Sequence, residues 1–463
     1  MNDTLPRLEA CIQQRSLWQH LAEFQKIADA NPGPHGHPNR DTGTPGYHAS
    51  AVYVANLMRA AGYKVTIQRY DYRKSEIAAA PAFGVPGRTY AFERDWFVAR
   101  NSGGGTVTAL VEPRRGASAG CVPGDFAGFG RGNVALLERG GCDFDTQVAN
   151  ARTAGAGAVI LYNDERPPDG IASEARLIEP AKIPVIGLAS YALGADLLRQ
   201  WRSGSAPTAR IVVRTKNLRG IDYNVIADSP FGDVKQTIVL DAHLDSIYGA
   251  GMLDNASGST TILEIGLAMA RTPTRNHLRY IWFGGEEIGL LGSKHYVGAL
   301  TRAQLHQIAF DVDVDVTATP NYDILIAAAA NSRMVKHFPP NVVPESKIGN
   351  DYFTDFFNAA GVVVRNYGGG SDGTDSLSFG LAGVPNSGIL TQQDCCKHTW
   401  ETHLWGGFLG NYEGMIPSHN GGCVDRPHRW CDNLSNNDPF VLELASKAVA
   451  YAAFELANRA RVP

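Results

Sequence analysis

The sequence predicts an α/β protein with a mixed, mostly parallel, doubly wound sheet and a small inserted α/β domain. From residue 217 onward, apolar runs such as QTIVLDA and RYIWFGG alternate with helical stretches, which favours a parallel or mixed sheet with helices on both faces. Between residues 105 and 216, short apolar runs separated by Gly-rich turns indicate a second, smaller unit. We therefore expect a main domain formed by residues 1–104 and 217–463, with the insert at 105–216.

The first segment reads as two helices followed by a strand. Apolar residues recur with helical spacing along residues 8–30, at Leu17, Leu21, Phe24 and Ile27. The turn-rich stretch NRDTGTPGYHA leads into a second candidate helix at 50–61. KVTIQRYDY then alternates like a strand, whereas residues 75–105 show little periodicity.

The later segments supply most of the strands. In the insert, a helix is expected at 145–154, and the strand-like runs are TVTALVEP, NVALLERG, AVILYND and KIPVIGLAS. Beyond it, helices are expected to begin at Asn255 and Ile288. The strands expected there are NVIAD, QTIVLDA, RYIWFGG and IAFDVDVDV.

Composition and charge argue against two classes of partner. Apolar residues make up 44% and charged residues 19% of the chain, as in soluble globular proteins, and the net charge is −4. Nucleic-acid binding needs clustered Lys and Arg, and no apolar run approaches the ~20 residues that span a bilayer. We therefore expect neither nucleic acid nor a membrane as a partner. The start MNDTLPRLEACIQQRSLW lacks a signal-peptide pattern, so we expect a cytosolic protein or a processed N-terminus. The oligomeric state is not indicated.

The cysteines form no CxxC pair, which argues against a structural zinc site of that kind. Cys121 and Cys142 bracket one short segment, and Cys423 and Cys431 bracket another. Two loops closed by disulfides would fit an oxidising compartment, whereas buried free thiols are the alternative. The odd total leaves at least one thiol unpaired, and the pairing of the others is not indicated: Cys11, Cys395 and Cys396.

Polar residues collect where the strand QTIVL ends, which is where sites gather in open α/β sheets. His243 and Asp245 can share one face of an extended chain. His243 can then bind a metal while Asp245 orients it, and the alternative is a core histidine paired with an acid. Asp254 precedes the next expected helix, so it is either a metal ligand or a helix N-cap.

Acidic residues also follow two further strands. After RYIWFGG, Glu286 and Glu287 either face the positive end of a helix dipole or supply one metal ligand and one base, because adjacent side chains diverge. IAFDVDVDV places three carboxylates on one strand face: Asp311, Asp313 and Asp315. Like charges so close repel, and a cation, a salt bridge or solvent would relieve the repulsion.

A last candidate, His428, lies between two cysteines in CVDRPHRWCDNLSNND. A loop histidine often has no special role, but a disulfide there would hold the imidazole in a rigid loop. The chain thus offers two imidazoles and several carboxylates, without a Gly-rich phosphate loop or a nucleophile elbow. Mixed ligands of this kind suit zinc, with manganese or cobalt as substitutes. Two ions clamping a hydroxide would perform metal-assisted hydrolysis.

These motifs together resemble the co-catalytic di-zinc aminopeptidases of the bacterial leucine aminopeptidase type, a family that includes glutamate carboxypeptidases and glutaminyl cyclases. The resemblance covers most of residues 217–463 and rests on AHLDS, WFGGEEIGLLGSKHYV and PHRWCDNLSN. NRDTGTPGYHASAVYVANLMRAAGYKV resembles the family's N-terminal segment. GNVALLERGGCDFDTQVANARTAGAGAVILYND resembles a protease-associated domain, in which cysteines placed like Cys121 and Cys142 often pair. The implied architecture is a zinc-peptidase fold with that domain inserted.

The resemblance implies two Zn²⁺ ions and a role for each candidate. Glu286 would be the general base for a metal-bridging hydroxide, Asp245 would support His243, and Asp254 would bridge the ions. The implied metal ligands are His243, Asp254, Glu287, Asp315 and His428.

At one position the sequence offers a choice of ligand, and at two others it departs from the family pattern. Asp315 is chosen as the strand ligand because the TPNY that follows it matches the family's continuation, and Asp313 is the second choice. Ser376 stands where the family's pocket-lining segment usually has a histidine. Pro427 stands where many relatives have a tyrosine that stabilises the oxyanion, so the zinc ions or another donor would polarise the carbonyl.

We therefore expect a secreted or periplasmic di-zinc aminopeptidase that removes N-terminal, apolar residues from peptides. One alternative is a carboxypeptidase or dipeptidase on the same scaffold, which would bind the substrate carboxylate through Arg333, Arg365 or Arg426. Another is an inactive, receptor-like homologue, although the complete ligand set argues against it.

Overall fold

We describe the protein from a computed structural model. The described residues are 2–33, 36–92, 94–114, 120–164, 172, 175, 177, 180–247, 249–391, 397, 399–408 and 431–462. They form two compact units, one from most of residues 1–72 and 221–463 and the other from most of residues 73–220. The domain boundaries expected at 105 and 216 stay predictions.

The secondary structure of the described residues alternates along the chain. The helices are α1 (Leu5–Cys11), α2 (Gln14–Ala30), α3 (Pro45–Ala61), α4 (Phe144–Thr153), α5 (Tyr191–Arg202), α6 (Ser257–Met269), α7 (Leu291–Ala299), α8 (Arg302–Leu305), α9 (Val342–Ala359), α10 (Ser376–Leu381), α11 (Thr399–Trp405) and α12 (Pro439–Asn458). The strands are β1 (Lys64–Gly84), β2 (Gly105–Pro113), β3 (Val134–Glu138), β4 (Ala158–Tyr162), β5 (Val185–Ala189), β6 (Thr208–Asp228), β7 (Asp233–His243), β8 (Asn276–Phe283), β9 (Ile308–Val314), β10 (Leu325–Ala328), β11 (Arg365–Tyr367) and β12 (Asn386–Leu390).

The larger unit is built on a mixed sheet with the strand order β11-β10-β12-β9-β7-β8-β6. Four neighbouring pairs are parallel, namely β10 with β11, β12 with β9, β9 with β7 and β7 with β8. The pairs of β10 with β12 and of β6 with β8 are antiparallel. The predicted mixed, mostly parallel sheet is confirmed.

Helices cover both faces of this sheet because successive side chains of each strand point to opposite faces. On β7, Leu240 joins one apolar core with Leu263 of α6 and Val449 of α12. The neighbouring residue Val239 joins a different core with Phe379 of α10. Both faces of the central strands are therefore shielded from solvent, and polar side chains on β7 and β9 are buried.

The smaller unit is also α/β, as predicted for the insert. Strands β2, β3, β4 and β5 are parallel neighbours in that order, and residues 208–213 of β6 pair antiparallel with β2. The strands lie between two apolar cores, one including Leu136 and the other Leu137. Cys121 and Cys142 form a disulfide, so the pairing implied by the resemblance is confirmed.

Several predicted element boundaries were wrong by a few residues. The predicted helix at 8–30 is two helices, because residues 12–13 lie outside α1 and α2. Helix α3 begins at Pro45 rather than residue 50, since the Thr44 hydroxyl accepts a hydrogen bond from the Tyr47 amide and Pro45 suits the first turn. Strand β1 continues to Gly84, through residues with little periodicity.

The described helices include none that is long and apolar enough to cross a membrane.

Candidate metal centre

The predicted site residues follow the carboxyl ends of three adjacent parallel strands. His243 is the last residue of β7, and Asp315 comes directly after β9. The glutamates follow β8, whose last residue is Phe283. Since β7 lies between β8 and β9, the three segments meet at one edge of the sheet.

His243, Asp254 and Asp315 form the candidate ligand group. The His243 Nε2 atom lies 2.9 Å from Asp254 Oδ1 and 3.3 Å from Asp315 Oδ1. One possible ligand atom from each of the three residues lies within 4.8 Å of the other two. Separate segments of the chain thus bring one imidazole and two carboxylates to a single point.

The helix-cap alternative for Asp254 was wrong. Helix α6 begins at Ser257, with Ala256 at its N-cap position, so Asp254 lies in the preceding turn. The backbone of Asp254 is non-helical, with φ of −115° and ψ of 98°. Its side chain lies beside His243 instead of capping α6.

The electrostatics of the group favour a cation. Burial lowers the pKa of His243, but the carboxylates of Asp315, Asp245 and Asp254 outweigh that effect and hold it well above its usual value. Burial raises the pKa of Asp315, and the negative charges of Asp254 and Glu287 raise it further, while His243 opposes the shift. Ionised carboxylates packed this closely need a positive partner.

The residues present fit zinc. Imidazole nitrogen and carboxylate oxygen are common ligands of catalytic zinc. Asp315 Oδ1 is buried and has no hydrogen-bond partner among the described residues, which leaves a buried acceptor for a cation. Asp313 lies outside this ligand group, because its Oδ2 accepts hydrogen bonds of 2.9 Å from the Thr374 hydroxyl and from the Ser376 amide. Burial, with the negative charge of Asp315, raises the pKa of Asp313 to about 7.

Asp245 contacts His243 and also the turn that carries the two glutamates. The His243 Nδ1 atom lies 3.0 Å from the Asp245 backbone carbonyl oxygen and 3.7 Å from Oδ1 of its carboxylate. The carboxylate accepts hydrogen bonds from the amides of Glu286 at 3.2 Å and Glu287 at 3.4 Å. The Thr42 hydroxyl donates a third bond, at 2.9 Å.

Glu286 and Glu287 are buried at this same edge, with 2% and 3% of their surface exposed. Helix α7 begins only at Leu291 and has no acidic residue in its first turn, so the helix-dipole alternative was wrong. Glu286 lies near enough to raise the pKa of Asp375, an effect second only to burial, and Glu287 acts similarly on Asp315. The negative charge of Glu286 therefore acts on Asp375, and that of Glu287 acts on Asp315.

His428 and Pro427 lie outside the described residues, as does Cys423. Cys431, the predicted disulfide partner of Cys423, is disulfide-bonded. Ser376, which stands at the family's histidine position, is buried, and its hydroxyl donates to the Gly370 carbonyl oxygen at 2.9 Å.

Sequence reasoning missed Arg40, which holds the loop between two candidate ligands. Its guanidinium is fully buried and donates to the carbonyl oxygens of Leu244 at 2.8 Å, Ala250 at 2.7 Å and Gly251 at 2.6 Å. Burial lowers the pKa of Arg40 to about 10, and nearby carboxylates oppose the shift, so it stays charged at neutral pH. The only sequence signal was its place in the turn-rich stretch NRDTGTPGYHA.

Asp432 was also missed, and it fixes the turn that carries Asp254. Its carboxylate accepts hydrogen bonds from the backbone amides of Leu253 at 2.5 Å and Asp254 at 3.0 Å. Asp432 is fully buried, and its charge is the largest of those that raise the pKa of Arg40. No pattern in the sequence indicated this contact across 178 positions.

Three more buried acids lie on the strands or beside them: Asp241, Asp311 and Asp375. Burial raises the pKa of each; the charges of Asp311, Asp313 and Asp375 raise the pKa of Asp241 further, whereas Asp313 raises that of Asp311 and Asp241 opposes it. They do not belong to the ligand group.

Comparisons with protein families give two matches. Residues 224–453 match peptidase family M28. Residues 106–197 match the PA domain.

Curated relatives match along nearly the whole chain. An aminopeptidase of Pseudomonas aeruginosa strain PAO1 is 30% identical over 480 residues, covering 99% of this chain and 83% of that protein. A probable lipoprotein aminopeptidase, LpqL, of Mycobacterium tuberculosis is 30% identical over 447 residues, covering 94% of this chain and 83% of that protein.

Solved structures with the same fold include two bacterial enzymes. The aminopeptidase from Aneurinibacillus sp. strain AM-1 has a TM-score of 0.72 at 20% identity, covering 99% of this chain and 98% of that one. BSAP, a zinc aminopeptidase from Bacillus subtilis, has a TM-score of 0.64 at 21% identity, covering 97% and 96%.

Proposed function

Because the chain belongs to peptidase family M28 and carries an inserted PA domain, we propose that this zinc metallopeptidase is an aminopeptidase that removes apolar N-terminal residues from peptides. The observation that carries the proposal is the meeting of His243, Asp254 and Asp315 beside the buried glutamate pair. The disulfide between Cys121 and Cys142 supports a secreted or periplasmic location.

The proposed centre would hold two zinc ions. Bound zinc would supply Lewis-acid polarisation of the scissile carbonyl and lower the pKa of a water. His243 and Asp315 would hold one ion, Glu287 and His428 the other, and Asp254 would contribute to both. The ligand atoms of His243, Asp254 and Asp315 already lie within 4.8 Å of one another, which supports the first part of this assignment.

Glu286 is the proposed general base. It accepts a proton from the attacking water and passes it to the leaving amine, which departs as the new N-terminus of the shortened peptide. Glu286 is buried, with 2% of its surface exposed, at the same sheet edge as the ligand group. The hydrogen bond from its backbone amide to Asp245 holds the residue beside the ligand group.

The carboxypeptidase alternative has less support. Arg333 is one of the cations that could receive a substrate carboxylate, but its guanidinium already pairs with Asp372 at 3.0 Å, and its backbone amide donates to the same carboxylate at 2.6 Å. Arg365 is exposed on strand β11, and Arg426 lies outside the described residues. The negative charge of Asp372 offsets part of the attraction that Arg333 would exert on a second carboxylate.

The test is Glu286→Gln, with Glu264→Gln as a matched control. Glu264 is also buried, but it pairs with His20 and accepts a hydrogen bond from Ser16. We expect Glu286→Gln to keep its zinc by elemental analysis and to lose at least about 100-fold in kcat on leucine anilides, which is the usual size of a general-base effect. The Glu264 variant should keep both.

Retained activity in Glu286→Gln would refute the base assignment. A wild type that cleaves C-terminally free peptides but not amino-acid anilides would favour the carboxypeptidase instead. A zinc-free wild-type protein that binds peptides without cleaving them would indicate a receptor-like homologue.

A further inference from the structure

We propose that Thr42 and Asp245 are positioning residues that fix the Glu286–Glu287 turn, an inference that rests on the proposed function of these glutamates. Asp245 would then hold the glutamate turn through its carboxylate, while its backbone carbonyl is its nearest contact with the His243 ring. Thr42 would add the third donor that keeps this carboxylate in one orientation.

The contacts of Asp245 divide between its backbone and its side chain. The His243 Nδ1 atom is closer to the carbonyl oxygen of Asp245, at 3.0 Å, than to its carboxylate, at 3.7 Å. The carboxylate meets the two glutamate amides, Oδ1 accepting from Glu286 and Oδ2 from Glu287. One fully buried carboxylate thus bridges two consecutive amides of the turn that presents both glutamates.

Thr42 supplies the remaining constraint on that carboxylate. Its hydroxyl donates to Oδ2 at 2.9 Å, the shortest of the three hydrogen bonds, and the residue is 1% exposed. The Glu287 amide reaches the same oxygen at 3.4 Å, so the hydroxyl is the stronger partner there. Without the hydroxyl, the carboxylate keeps two long bonds and can rotate about its own axis.

The segment around Thr42 is itself fixed. On one side, the backbone amide of Arg40 donates to the Ser246 hydroxyl at 3.1 Å. On the other side, the Gly43 amide donates to the buried Asp222 carboxylate at 2.6 Å. Gly43 has a φ of +80°, and a Cβ there would lie 2.1 Å from the Tyr72 hydroxyl, so both the backbone conformation and the space require glycine.

The consequence for catalysis follows from geometry. A displacement of about 1 Å in a catalytic group can cost roughly 100-fold in rate, and loss of a residue that orients a metal ligand typically costs about 10- to 100-fold in affinity or activity. Thr42 is not a member of the ligand group, and its hydroxyl is linked to the glutamate turn through the Asp245 carboxylate. Its proposed effect on the reaction is therefore through the position of the glutamates.

The test compares Thr42→Val, Thr42→Ser and Thr237→Val. Valine keeps the size and branching of threonine without the hydroxyl, whereas serine restores the hydroxyl. Thr237 is the structural control, because it is also buried and hydrogen-bonded on β7 but lies within the strand, away from the edge that carries His243. The measurements are kcat and KM on a leucine anilide, zinc affinity by competition with a colorimetric chelator, and the thermal midpoint.

We expect Thr42→Val to lower kcat by about 10- to 100-fold with KM within a factor of two, and to weaken zinc binding about 10-fold or more. Thr42→Ser should return both values to within about threefold of wild type. Thr237→Val should lower the thermal midpoint alone. Equal losses in Thr42→Val and Thr237→Val, or wild-type kcat and zinc affinity in Thr42→Val, would overturn the inference.

The two proposals fail separately. If the wild-type protein does not cleave the anilide, the proposed function fails. Zinc competition on Thr42→Val then still decides whether this residue holds the glutamate turn.

Discussion

Replacing Arg40 with methionine should destabilise the larger unit and loosen its metal centre. The guanidinium donates to three buried carbonyl oxygens, which would lose their partner in Arg40→Met. Each buried carbonyl without a partner costs about 1–3 kcal/mol, so the variant should lose at least about 3 kcal/mol of unfolding free energy. Arg40→Lys should lose less, because one ammonium keeps the charge and part of the hydrogen bonding.

The measurements are the urea midpoint of the metal-free protein and the zinc content after dialysis. Zinc content should fall in Arg40→Met because the loop held by Arg40 connects His243 to Asp254. Arg302→Met is the control for loss of a charge, since Arg302 is exposed on α8. A loss below about 1 kcal/mol together with unchanged zinc content would show that these hydrogen bonds do not hold the loop.

Two further predictions concern metal content and pH. Asp254→Asn should lower the zinc measured by elemental analysis, whereas a variant that keeps two ions per chain would exclude a bridging role. The hydrogen bond to Asp222 raises the pKa of His48, so this pair stabilises the folded state fully below about pH 6.5 and loses that effect as pH rises through the raised pKa. Because His48 is half-exposed, His48→Gln should remove less than about 1 kcal/mol of the stability difference between about pH 6 and 8, as urea midpoints would show. An unchanged difference would mean that the pair contributes nothing.

The sequence predicted well the positions of site residues that lie at the ends of strands. The apolar run before His243 indicated a buried strand, and a strand end in a parallel sheet places its next residues at a common edge. The choice of Asp315 over Asp313 depended on a resemblance rather than on periodicity, because alternation puts both on the same face. The structure brings Asp315 to His243 and directs Asp313 toward Thr374.

Element boundaries near the site could not be predicted, because they depend on backbone conformations without a local pattern. The helix expected at Ile288 begins at Leu291, after a turn in which Gly289 and Leu290 both have positive φ. A leucine in that conformation is uncommon, and only the surrounding packing can hold it there. The same applies to the turn before α6, where Asp254 and Asn255 interrupt the helical geometry.

The contacts that position the ligands could not be predicted from the sequence for a different reason. Arg40 binds backbone carbonyls 204 to 211 residues away, and Asp432 binds backbone amides 178 to 179 residues away. Every residue type offers those backbone groups, so no side-chain motif marks the partner. Only the structure shows which charged residue forms hydrogen bonds with which loop.

The bond from Asp432 to the turn of Asp254 also bears on how the enzyme is made. A ribosome adds Asp254 178 residues before it adds Asp432, so over that interval the growing polypeptide carries the Asp254 turn without these hydrogen bonds. A chain truncated before Asp432 would contain His243, Asp254 and Asp315 but would lack the carboxylate that fixes the Asp254 turn.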